Sequence, residues 1–146
     1  MPTMTWSQGT RSASILNLGT LTSGAYTETS AGIDLGATIP YDITLEVVAT
    51  PSAATLGNKQ LILFAKLSLD GTNYSTGPTT GTSATNEPDL FWIGALPCND
   101  ATLHRKMFSM SGLPKARYMK IVVKNDMGVP LASGNVYRAD ISANSN

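Results

Sequence analysis

The chain has 146 residues, with ten basic and ten acidic groups and a formal net charge of zero. That length suits one domain, or one domain with an arm, and the even charge argues against a dedicated nucleic-acid binder. Charged residues make up only 14%, and the polarity comes instead from 18 Thr, 14 Ser and 9 Asn, a composition that favours strands over helices.

Residues 1–14 are small and polar, without a clear period, and read as an extended arm. Trp6 is the exception, because a bulky aromatic in a polar arm calls for a pocket, on its own domain or on a neighbour. Shorter strands are expected over 24–35, punctuated by Gly32 and Gly36. The clearest strand is 41–50: Tyr41, Ile43, Leu45, Val47 and Ala49 alternate with Asp42, Thr44 and Glu46, and Pro40 and Pro51 bracket them. Residues 60–69 follow, with Leu61, Leu63, Ala65, Leu67 and Leu69 on one face and a turn at Asp70-Gly71-Thr72-Asn73.

Residues 75–89 contain nothing to bury and predict a long exposed loop. Short strands are expected over 90–95 and 102–110, the second broken by Gly112-Leu113-Pro114. Residues 117–124 alternate Met119, Ile121 and Val123 against Tyr118, Lys120 and Lys124, before the turn Asn125-Asp126-Met127-Gly128. Residues 135–142 set Val136 against Tyr137, Ala139 and Ile141.

Seven or eight strands between turn signals predict an all-β fold: a two-sheet antiparallel sandwich, jelly-roll-like, formed by residues 15–146 behind the 1–14 arm. An immunoglobulin-like order fits the same strand count, because local patterning does not encode connectivity. The expected core is Ile43, Leu45, Val47, Leu61, Leu63, Leu67, Trp92, Ile121, Val123, Ala139 and Ile141.

The residues suited to chemistry are sparse. His104 is the sole histidine, which excludes metal sites built on two or more of them. No serine sits in a nucleophile elbow, and Gly77-Pro78-Thr79-Thr80-Gly81 lacks the lysine and following helix of a phosphate loop. The pair in Glu87-Pro88-Asp89 supplies too few oxygens for a calcium loop. Cys98, the lone cysteine, reads as an inert thiol lining a turn. No catalytic centre, metal or cofactor is therefore expected. The N-terminal residues lack the basic and apolar regions of a signal peptide, and no apolar run approaches the ~18 residues of a membrane span, so no membrane partner is expected.

Charge is uneven along the chain. Between His104 and Lys124 lie Arg105, Lys106, Lys115, Arg117, Lys120 and Lys124, with no acid. This run reads either as a solvated outer sheet face or as a docking patch for an acidic protein surface. With Trp6, these six cations form the candidate interface.

Four features resemble the small virion structural proteins of tailed bacteriophages, of the capsid decoration or cement kind. They are the Ser/Thr/Gly-rich arm, Ser30-Ala31-Gly32-Ile33-Asp34-Leu35-Gly36 before a long strand, Lys66-Leu67-Ser68-Leu69-Asp70-Gly71-Thr72-Asn73-Tyr74, and Tyr118-Met119-Lys120-Ile121-Val122-Val123-Lys124-Asn125. The resemblance implies a non-enzymatic subunit, made in the host cytoplasm and carried on the capsid surface of the virion. Its implied partners are the major capsid protein and further copies of itself as a homo-oligomer, with a host glycan a further candidate. The alternative is a carbohydrate-binding sandwich, as a phage adhesin or a tail or fibre component. That module would stack sugars on Tyr74, Trp92 or Tyr118, and it requires those rings to lie exposed together.

Overall fold

The computed structural model describes residues 1–145. They form ten strands: β1 (Met4–Gln8), β2 (Leu16–Asn17), β3 (Tyr26–Glu28), β4 (Ile33–Asp34), β5 (Asp42–Pro51), β6 (Gln60–Ser68), β7 (Phe91–Pro97), β8 (His104–Ser109), β9 (Tyr118–Asp126) and β10 (Leu131–Ser145). One 3-10 turn spans Glu87–Asp89. In the first sheet β1 and β2 share one edge of β10, followed by β5 and β8; in the second, β3 and β4 share one edge of β9, followed by β6 and β7.

Counting β1 with β2, and β3 with β4, as single interrupted strands gives eight positions, in the orders 1-8-3-6 and 2-7-4-5. That is a jelly roll. The chain is one long nested hairpin, first strand on last and second on seventh, rolled so that the eighth meets the third and the seventh meets the fourth. The immunoglobulin-like order, ABED over CFG, is different.

The sheets meet over the expected alternating faces. Ile43, Leu45, Val47 and Ala49 of β5 are buried against Leu61, Leu63 and Ala65 of β6 and Met119, Ile121 and Val123 of β9. Cys98 is buried in the same core, and burial pushes its thiol up to about 11. Gly94 closes the corner between β7 and β8, where an added Cβ would stand 2.5 Å from the Phe108 ring.

Among the expected core positions, Ile141 and Trp92 lie outside the core, Leu67 packs half-buried against it, and Ala139 is buried on the outer side. Directly opposed residues of an antiparallel pair share a face. Val136 pairs with the buried Val47, whereas Tyr137, Ala139 and Ile141 pair with Glu46, Thr44 and Asp42 on the outer side. The core residue of that stretch is therefore Val136. Ala139 is buried in an outer hollow that it shares with Gln8, Arg11, Met107 and Tyr137. Ile141 is half-buried, as is Leu67. Trp92 is 62% exposed. It opposes Phe64 beyond a register shift at Leu63/Phe64, on a strand that ends its sheet.

The 75–89 segment also differs from a free loop. Pro78 is buried, and the segment leads into Leu90, which covers Tyr26, Phe64 and Val122 on the outer face of the second sheet. Gly77 permits the close approach: its φ is 139°, and a Cβ there would meet Leu90 Cδ2 at 2.5 Å. The Tyr26 amide donates to the Gly81 carbonyl at 2.8 Å, so the segment also covers the β3 edge. Lys66, buried on this face, donates to Glu28 Oε2 and to Thr79 Oγ1, each at 2.9 Å. Between these anchors, residues 82–86 stand exposed.

Candidate interaction surface

The 1–14 arm is extended, and it is also a strand of its own domain. β1 pairs with β10 from Met4↔Ser145 to Gln8↔Ile141, and Gly9, Ser12 and Ile15 continue the backbone bonding down the same edge. The pairing of β10 with β5 stops at Ile141↔Asp42. Residues 142–145 of β10 therefore pair with β1 alone, as a two-stranded ribbon that outruns the sandwich.

Trp6 stands on this ribbon, 56% exposed, and packs edge-to-face on Tyr41 with ring centroids 4.3 Å apart. Tyr41 is itself 51% exposed, at the point where Pro40 ends the ladder. Beside this pair, shallow hollows cross the same end of the jelly roll. Ile39, Pro40, Tyr41 and Lys115 line one, and Pro40, Leu67, Pro114 and Lys115 line the next. The largest, about 470 Å³, lies between Leu67, Leu69, Phe91, Pro114 and Ala116. Lys115 spans the row and donates to the Tyr41 carbonyl at 2.9 Å. Among the described residues it has no carboxylate partner.

The candidate cations do not form one patch. Arg105 lies on the outer face of the first sheet, donating to Glu46 Oε1 at 3.1 Å. Lys106 reaches from β8 to β7, donating to the Ala95 carbonyl. Arg117 holds Asp34 in a two-point pair, Nε–Oδ1 at 2.7 Å and Nη2–Oδ2 at 3.0 Å. Lys120 and Lys124 lie on the outer face of the second sheet, against Glu28 and Glu87. Four of the six cations thus meet a carboxylate within the chain. Trp6 and Lys115 are the two candidates brought to the same end.

Acidic groups respond to these contacts. The Arg117 guanidinium, helped by the Gly36 amide, lowers Asp34 to about 2. Partial burial pushes Glu46 upwards, but Arg11 and Arg105 outweigh it and leave the carboxyl below its ordinary value. Amides of Asn73 and Thr72 hold Asp70 far below the carboxylate range, which fixes the Asp70-Gly71-Thr72-Asn73 turn beside the large hollow. His104 is half-buried, with Nε2 3.1 Å from Asp100 Oδ1. Among the described residues no three His, Cys, Asp or Glu side chains gather as a metal site would require.

The three candidate sugar-stacking rings do not form one exposed platform either. Tyr74 is half-buried, its hydroxyl filling the space where Gly32 would carry a Cβ, and the Tyr118 ring packs on Gly71. Trp92 lies two strands from Tyr118 and four register positions along the sheet. The residues missed from the sequence are Ile39, Pro40, Tyr41, Leu69 and Pro114. Their signal was the prolines: Pro40 stands just before β5 and Pro114 in the β8–β9 connection, both outside the ladders.

Protein-family models and curated protein sequences contain no match to this chain.

Proposed function

We propose that the chain is a non-enzymatic virion structural protein that binds the major capsid protein shell as a decoration or cement subunit. The observation that carries this reading is the apolar end. Trp6, Tyr41 and the adjoining hollows lie open there, while most of the charges are neutralised within the chain. An uncovered apolar area of this kind marks an interaction site. Aromatics with a polar rim are what protein partners use. The jelly roll supports the reading, since it is common in capsid-associated domains, although lectins use it too. The half-burial of Tyr74 and Tyr118 and the distance of Trp92 from Tyr118 favour docking over a sugar platform.

A cement subunit stabilises a shell by binding its assembled form, so added chain should raise the shell's disruption temperature in a saturable way. The test uses particles from the native source, stripped of this chain and mixed with the purified protein. Leu69 is almost fully exposed beside the large hollow, so Leu69→Asp should fold normally. It should give little of the thermal gain. Particles that neither carry the chain nor rebind it would overturn the reading.

A further inference from the structure

The free edge of β1 distinguishes it from the other sheet edges. Exposed strand edges are pairing templates unless shortened, charged, bulged or covered. β2 and β4 are two residues long. β3 is covered by the Gly81 bridge. β7 carries a register shift and ends on Pro97, and β8 carries Arg105 and Lys106. β1 has none of these devices. Its sequence, Met4-Thr5-Trp6-Ser7-Gln8, holds no charge and no proline, and its five pairs with β10 run without a shift.

The direction of its unpaired groups follows from the ladder. The Gly9 amide donates to the Asp140 carbonyl at 2.8 Å, so Gly9 faces β10. Alternation along an antiparallel strand then turns Ser7 and Thr5 towards β10 and Met4, Trp6 and Gln8 away from it. The outward residues are symmetric about Trp6. We propose that β1 pairs antiparallel with β1 of a second copy of this chain, about a two-fold axis through Trp6. In that register Trp6 opposes its own counterpart and Met4 opposes Gln8 of the other copy. All three outward residues then exchange amide and carbonyl bonds, about six in total. The strand is neutral, so self-pairing brings no like charges together. The two indoles become neighbours, each braced by its own Tyr41, and the first sheet continues across the dimer. This inference does not depend on the virion reading.

Crosslinking tests the register. Opposed Cα atoms of a hydrogen-bonded pair stand about 5.5 Å apart, within disulfide range. The native Cys98 is buried and does not compete. Trp6→Cys should oxidise to a covalent dimer, whereas Thr5→Cys, opposite Ser7 of the other copy, should remain monomeric. By sedimentation at about 100 µM the wild type should have twice the 15.4 kDa chain mass. Trp6→Lys should weaken the dimer about tenfold or more, because it sets like charges opposite one another. A monomeric wild type, a dimer indifferent to Trp6→Lys, or equal crosslinking at positions 5 and 6 would overturn the proposal. A monomer that still binds particles would overturn self-pairing while leaving the virion reading intact.

Discussion

Gly94 shows how much one hydrogen atom can decide. Its missing Cβ leaves room for the Phe108 ring, and so for β7 and β8 to close one side of the sandwich. Gly94→Ala should therefore cost about 1–3 kcal/mol by overpacking, read as a lower midpoint in denaturant. Asp34 sets a pH limit instead. Held at about 2 by Arg117, its carboxyl titrates below the unfolded value of about 4. The stability it contributes is present above the unfolded value and is lost as pH falls through the folded one. Asp34→Asn should flatten that portion of the acid-unfolding profile and leave its neutral and alkaline portions in shape. An unchanged acid limb, followed by circular dichroism from pH 5 to pH 2, would remove Asp34 from the account.

Among the elements, the outer face of the second sheet depends on one carboxylate. Lys66 and Lys120 are directly opposed across β6 and β9, and Glu28 meets both, at 2.9 and 3.3 Å. Glu28→Gln leaves the buried Lys66 without a counter-charge and should cost about 3 kcal/mol. Because Lys66 also holds Thr79, the 75–89 segment should become easier to cleave with protease. An insertion between Thr79 and Gly81 should destabilise for the same reason, whereas one within the exposed residues 82–86 should be tolerated. The sequence showed β5, β6 and β9 clearly, since their alternation is long and their inner faces meet. It misled at β10, where Val136 is the buried member and Tyr137, Ala139 and Ile141 form the longer apolar series. Only the pairing of Val136 with Val47 decides between them. Trp92 lies in an apolar run whose burial depended on a neighbouring strand that an edge does not have. The segment over Phe64 was unreadable because few of its own residues are apolar. Its anchors, Pro78, Leu90 and a lysine contact, become an anchor set only when the sheet lies beneath them.

For the whole molecule, the nested hairpin joins the two ends of the chain, and connectivity of that kind leaves no local trace in a sequence. It also makes the N-terminal strand two things in succession. Residues 15–18 belong to the sandwich: Leu16 and Leu18 are buried in the core, and Gly134 approaches Leu18 closely enough that a Cβ would stand 3.0 Å away. β1, nearer the terminus, is exposed at all five residues and buries no side chain in that core. A two-stranded ribbon whose one apolar contact with the rest is Trp6 on the half-exposed Tyr41 is marginal in water, so β1 adds little to the stability of the sandwich. Two truncations separate these roles. Removing residues 1–8 should change the stability of the isolated domain by no more than about 2 kcal/mol, because only exposed ladder bonds and the half-exposed Trp6–Tyr41 contact are lost. Removing residues 1–18 takes Leu16 and Leu18 from the core, at about 2–5 kcal/mol each for large-to-small losses, and should abolish cooperative unfolding. Thermal melts of the two variants at low concentration, where association is absent, make the comparison. Equal damage by both would show β1 to be part of the folding unit. Loss confined to the longer truncation would leave β1 as an element whose contribution comes only through contact with another chain.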